Sequence, residues 1–133
     1  MISEKDLESM GYYDMFPDAD PVNWADFYSG WVEKKILTNG QDRLVENTLG
    51  LVGEAGEVAE KVKKLIRDSS QLTKDLTNLS NEEIMKELGD VVFYATALGN
   101  IYGRGLQEIL ELNIQKLDDR QKRNKLRGSG DNR

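Results

Sequence analysis

Apolar residues recur along most of the chain at the three- and four-residue spacing that is typical of α-helices. The pattern predicts a first helix that opens at Pro21, where proline suits the first turn and Asp20 can cap the free N–H groups. A capping box at residues 80–83 predicts the start of a later helix. The four predicted helices span about residues 21–37, 42–66, 81–102 and 106–126. Because no segment shows the alternation of a strand, we expect an all-α fold, a helical bundle.

The third predicted helix is apolar on nearly every side after Glu87. Its apolar residues are Leu88, Val91, Val92, Phe93, Ala95, Ala97, Leu98 and Ile101. A helix of this kind is buried over most of its surface. A monomer of 133 residues can hardly cover it, so we expect the bundle to be completed by oligomerisation with further copies of the chain.

The length of the chain predicts a single domain over residues 1–133. Residues 1–20 are expected to form a mostly irregular N-terminal arm that packs on the rest, and residues 21–127 the helical core. Residues 128–133 are rich in glycine and polar side chains, so a flexible tail is expected there.

Composition excludes several classes of function. The formal net charge of -6 argues against nucleic-acid binding, which needs a basic surface. The chain contains no cysteine and no histidine, which excludes zinc-thiolate sites, cysteine nucleophiles and Ser-His-Asp triads. No signal peptide and no apolar segment of membrane-spanning length is recognisable, so no membrane partner and a cytoplasmic location (the host cytoplasm if the protein is viral) are expected.

Two pairs of acidic residues carry the candidate chemistry. Glu54 and Glu57 lie three residues apart in the second predicted helix, and Glu87 and Asp90 do so in the third, so each pair projects from one helix face. Carboxylates among apolar neighbours are costly unless a positive charge meets them. Two such helices facing each other would form an oxygen-rich cage, which suits a hard divalent cation such as Mg²⁺.

Basic and small residues accompany the carboxylates on the second helix. Lys61 and Lys64 share a face with the acidic pair and could meet phosphate oxygens. The alternative is that they form solvated ion pairs, Glu57 with Lys61 and Glu60 with Lys64. Three glycines at equal spacing predict a face that another backbone or a ligand approaches closely. They are Gly50, Gly53 and Gly56.

Aromatic residues of the first predicted helix form a stripe at helical spacing. The stripe consists of Trp24, Phe27, Tyr28 and Trp31. Such a stripe is typical of a helix face buried in a core, but Trp31 or a neighbour could instead border a pocket and stack on a flat base. The basic run from Lys116 to Arg127 is either a solvated tail or a clamp over phosphates, with Lys125 and Arg127 as its candidate contacts.

The segments Gly50–Val58 and Lys86–Phe93 together resemble the MazG-like nucleoside triphosphate pyrophosphohydrolases, short phage and bacterial members included. The signature of that family is E-E-x-x-E followed by E-x-x-D, and here Gly53 replaces the first glutamate. The resemblance covers about residues 21–133. It implies an all-α fold, dimers or tetramers of dimers, and cleavage between the α- and β-phosphates.

The resemblance also implies roles for individual residues. It identifies Glu54, Glu57, Glu87 and Asp90 as catalytic residues and ligands of Mg²⁺ or Mn²⁺, and it places Tyr94 near the sugar or a phosphate. The expected reaction is metal-dependent hydrolysis of a (d)NTP to a (d)NMP and pyrophosphate, in control of the nucleotide pool. Two alternatives remain: a phosphoribosyl-ATP or dUTP-type pyrophosphohydrolase, and a non-catalytic helical interaction module with a structural metal site.

Overall fold

The computed structural model describes residues 4–9, 11–15, 23–68 and 82–123, and within these ranges every regular element is an α-helix. The prediction of an all-α fold is confirmed. The helices are α1 (Glu4–Ser9), α2 (Tyr12–Met15), α3 (Trp24–Glu33), α4 (Gly40–Asp68), α5 (Glu82–Ile101) and α6 (Leu106–Lys122). In this part of the chain, no helix is both long enough and apolar enough to span a lipid bilayer.

Helix boundaries agree with the predictions for the two central helices and differ near the N-terminus. The prediction that α3 starts at Pro21 and ends near Leu37 was wrong at both ends, since the helix spans Trp24–Glu33. Asn23 is its N-cap, because the Asn23 side chain accepts a hydrogen bond from the backbone N–H of Asp26 at 3.2 Å. The expectation of a mostly irregular arm was also wrong for the described residues, which form α1 and α2.

Helices α4 and α5 form the central pair, and they run antiparallel, because contacts later in α4 fall earlier in α5. Gly50 of α4 lies against Tyr94 of α5, whereas Lys61 lies against Glu83. At Gly50 a Cβ atom would overlap the ring of Tyr94, so this glycine lets the two helices approach closely. At Gly53 and Gly56 a Cβ atom would meet no described atom within 4 Å, so only one of the three glycines serves this contact.

Helices α3 and α6 pack against α5 near its C-terminal end, and Ser29 of α3 joins the three helices. The Asn100 side chain donates a hydrogen bond to the Ser29 carbonyl at 2.9 Å, and the backbone N–H of Leu106 donates one to the Ser29 hydroxyl at 2.7 Å. A two-pronged ion pair between Arg43 and Glu33 links the start of α4 to the end of α3. These polar contacts fix α3 beside the central pair.

The described residues bury few apolar side chains within one copy of the chain. Among them, the buried apolar residues are Phe27, Val32 and Ala97. Large apolar side chains of the central pair remain exposed, in particular Val45, Leu49, Val52, Val62, Ile66, Met85, Leu88 and Val92. Leu49 and Val52 are 66% and 67% exposed, although they lie on a regular helix with strong apolar periodicity. These eight residues are called the exposed apolar residues of α4 and α5 below.

Candidate metal centre

Three of the four predicted carboxylates meet between α4 and α5. Glu54 comes from α4, and Glu87 and Asp90 come from successive turns of one α5 face. Each offers a carboxylate oxygen, and the three oxygens all lie within 4.8 Å of one another. The antiparallel pairing creates this cluster, because it sets the middle of α4 opposite the first half of α5. We call Glu54, Glu87 and Asp90 the carboxylate cluster.

The electrostatics of the carboxylate cluster favour a cation. Burial raises the pKa of the Glu54 carboxyl above its ordinary value, and the negative charges of Asp90 and Glu87 raise it further. Glu54 and Glu87 are half-buried, so water screens their repulsion less than it would at the surface. All three ligand atoms are oxygens, the donors that Mg²⁺ and Mn²⁺ prefer. The residues present therefore fit a hard divalent cation.

Glu57, the fourth predicted carboxylate, is exposed and lies outside the group of three whose oxygens meet. Its charge nevertheless adds to the rise in the Glu54 pKa, after burial and the two nearer carboxylates. Glu57 therefore lies beside the carboxylate cluster rather than within it.

The two predicted phosphate-binding lysines differ in their surroundings. The Lys61 ammonium lies 3.0 Å from Glu83 Oε2 and 3.7 Å from Glu87 Oε1, so it contacts α5 rather than Glu57. Lys64 is exposed and lies 3.9 Å from Glu60, which is the ion pair that the sequence offered as an alternative. Sequence reasoning assigned no role to Glu83, because helix spacing alone does not show which lysine reaches it across the two helices.

An aromatic row leads from α3 to the carboxylate cluster. The rings of Tyr28 and Trp31 stack at 5.7 Å, Trp31 meets Phe93 edge-to-face at 6.3 Å, and Phe93 meets Tyr94 in the same way at 5.3 Å. Burial raises the pKa of the Tyr28 hydroxyl, and the charge of Asp90 raises it further, so this end of the row lies close to the cluster. The Lys35 ammonium covers the Trp31 ring at 5.3 Å.

Of the remaining predicted substrate contacts, two lie outside the described residues and two lie in the aromatic row. Lys125 and Arg127 lie outside the described residues, as does the tail at 128–133. Trp31 and Tyr94 are both half-buried and belong to the aromatic row, Tyr94 one turn after Asp90.

A family model and a phage protein both match this chain. The family model described as MazG nucleotide pyrophosphohydrolase domain matches residues 44–124. The chain belongs to this family. Gene 37 protein of Mycobacterium phage L5 is 43% identical over 86 residues, which cover 65% of this chain and 73% of the phage protein. No solved structure shows a significant match.

The MazG match includes the whole carboxylate cluster, Glu57 and both lysines, but it begins after α3. Tyr28 and Trp31 therefore lie outside the matched residues, although the structure places them beside the matched site. The printed name of the phage relative states no activity.

Proposed function

We propose that the protein is a metal-dependent nucleoside triphosphate pyrophosphohydrolase, which converts a (d)NTP and water into a (d)NMP and pyrophosphate in control of the nucleotide pool. The observation that carries this proposal is the convergence of Glu54, Glu87 and Asp90 on a chain of the MazG family. Without histidine or cysteine, a chain of this composition depends on carboxylates and a cation for such hydrolysis.

The carboxylate cluster is proposed to hold Mg²⁺ or Mn²⁺. Such an ion, when bound, would polarise a phosphoryl oxygen and lower the pKa of a coordinated water. Glu57 lies next to the cluster but outside it, so its carboxylate is free to accept the proton of the attacking water. This division gives the fourth predicted catalytic carboxylate a role different from that of the other three.

The surroundings of the cluster support substrate contacts of two kinds. Lys61 and Lys64, on the turns of α4 that follow Glu57, are proposed to meet the phosphates. Trp31 and Tyr94, which both belong to the aromatic row, are proposed to meet the base and the sugar. Lys125 and Arg127 are proposed to close over the phosphates as a clamp, and this proposal rests on their positive charge.

A turnover assay over the common NTPs and dNTPs, with Mg²⁺ or Mn²⁺ and detection of pyrophosphate, tests the function. We expect release of pyrophosphate and a monophosphate from at least one triphosphate, and loss of that release with excess EDTA. dUTP and phosphoribosyl-ATP belong in the panel because they separate the related pyrophosphohydrolases. A protein that hydrolyses none of these compounds with either ion would instead be a non-catalytic helical module.

We further propose that further copies of the chain cover the exposed apolar residues of α4 and α5. All eight are large apolar side chains that are exposed in one copy, and clusters of exposed apolar side chains mark interaction sites. A second copy presents the same residues, so a two-fold dimer that pairs the same helix of both copies would bury two such clusters at once. Tetramers built from such dimers are compatible with the same contact.

Val52→Glu is expected to prevent the proposed oligomer from forming, because it would bury a charge among the exposed apolar residues of α4. Light scattering after gel filtration should report two or four copies for the wild type and one copy for the variant. The matched control is Leu37→Glu, which makes the same kind of change at a residue that is 95% exposed and lies between α3 and α4. A wild type that remains monomeric at high concentration would contradict the proposal.

A further inference from the structure

The Lys61 ammonium lies between two carboxylates of α5, only one of which belongs to the carboxylate cluster. Glu87, the cluster member, has its Oε1 at 3.7 Å from the Lys61 Nζ, and Glu83, one turn earlier on α5, has its Oε2 at 3.0 Å. The shorter distance is that of a hydrogen bond, and the longer one is only an ion pair. Lys61 is therefore held mainly by the carboxylate outside the cluster.

A lysine beside a metal ligand competes with the metal. Its ammonium is a compact charge on a flexible stem with three donors, so it can move fully onto whichever carboxylate is nearest. If Glu83 did not hold it, Glu87 would be the remaining acidic partner that Lys61 contacts. An ammonium bound directly to Glu87 would occupy a ligand oxygen and would repel a divalent cation in the cluster.

We propose that Glu83 is a positioning residue of the metal site, which draws Lys61 away from Glu87 and so keeps that carboxylate available to a divalent cation. This role rests on the proposed function, since it requires that the carboxylate cluster binds the metal. In that arrangement the Lys61 ammonium lies beside the cluster without binding to it, where its charge can meet a phosphate group of the substrate.

The location of Glu83 supports a role of this kind rather than a part in packing. Its side chain is 74% exposed, so it contributes little to the buried contacts between the helices. The other cations that influence Glu83 are Lys86 and Lys64, and both of these are exposed. Lys61, at 27%, and Glu87, at 19%, are much less exposed, so their interaction is less screened by water.

Titration of the metal-free protein with Mn²⁺ at low ionic strength, followed by calorimetry or by the electron paramagnetic resonance of free Mn²⁺, tests the proposal. Glu83→Gln should weaken Mn²⁺ binding by roughly two- to fivefold, the range that partly screened ion pairs produce. Lys61→Met should instead tighten it by about the same factor. These opposite changes in Mn²⁺ affinity distinguish the proposed role from an ion pair that only stabilises the fold. If the ion pair were only structural, the loss of either partner would change the affinity in the same direction.

Two further variants separate the contact with Lys61 from the simple loss of a negative charge. Glu82→Gln removes the same charge from the neighbouring position of α5, where Glu82 is exposed and lies 3.6 Å from Lys86. It should change Mn²⁺ affinity less than Glu83→Gln does. In the Lys61→Met background, Glu83→Gln should have no larger effect than Glu82→Gln, because the lysine through which it acts is gone.

The outcomes distinguish this role from the metal site itself. If the wild type binds Mn²⁺ but Glu83→Gln and Lys61→Met shift the affinity in the same direction, or not at all, the role of Glu83 is overturned and the metal site stands. If Glu83→Gln is as effective without Lys61 as with it, the role is likewise overturned. If the wild type binds no Mn²⁺, both proposals fall. Circular dichroism of each variant checks that the helices are intact.

Discussion

Asp90→Asn is expected to lower kcat/KM for the best triphosphate substrate by at least about 100-fold, since it removes a charge from the carboxylate cluster that is proposed to hold the metal. The substitution replaces a carboxylate oxygen with a neutral amide at almost unchanged shape. Asp90 is the exposed member of the cluster, so the packing of α5 should not suffer. The rate of pyrophosphate release and the Mn²⁺ affinity should therefore both fall while the helix content stays the same.

Two companion variants make the result specific. Asp118→Asn makes the identical chemical change at an exposed position of α6 and should leave kcat/KM within about twofold of the wild type. Glu57→Gln should abolish turnover but leave Mn²⁺ affinity closer to the wild type, because Glu57 lies outside the cluster. Full activity of Asp90→Asn would contradict the catalytic assignment. If Glu57→Gln lost as much Mn²⁺ affinity as Asp90→Asn, Glu57 would be a metal ligand instead.

Gly50→Ala is expected to destabilise the protein by about 1–3 kcal/mol, although alanine is the better helix former. The added methyl group would overlap the Tyr94 ring, and the two helices or the ring would have to move apart. At a fixed protein concentration, thermal unfolding followed by circular dichroism should show a Tm lower by several degrees.

The matched control for this prediction is Gly53→Ala in the same helix. No described atom lies within 4 Å of a Cβ at Gly53, so this change should raise the free energy of unfolding by up to about 1 kcal/mol. Replacing Tyr94 with Ala should remove most of the penalty of Gly50→Ala, because the overlapping ring is then absent. Equal effects of the two glycine substitutions, with no dependence on Tyr94, would contradict the close contact.

Sequence reasoning predicted the helices and the pairing of carboxylates on one face of each central helix, because both follow from spacing within one helix. The two E-x-x-[ED] pairs predict carboxylates on one face of each helix, and the apolar periodicity predicts α4 and α5 to within a few residues. The start of α3 was missed because Asn23 and Asp20 are both acceptable caps, and the pattern alone does not choose between them.

Contacts between helices could not be predicted, since they depend on the rotation and offset of α4 against α5. Equal spacing made Gly50, Gly53 and Gly56 look equivalent, yet only Gly50 lies under a ring. The same offset sets Glu57 beside the carboxylate cluster and directs Lys61 to Glu83. Neither arrangement has a signature in the order of residues along the chain.

The contact between Gly50 and Tyr94 lies one helical turn from the carboxylate cluster on both helices, since Gly50 precedes Glu54 and Tyr94 follows Asp90. The Tyr94 ring thus acts as a spacer that sets the distance between α4 and α5 at Gly50. A larger side chain at position 50 would widen the gap and separate oxygens that now lie within 4.8 Å of one another. We therefore expect a substitution at position 50 to change the thermal stability and the proposed affinity for a cation together.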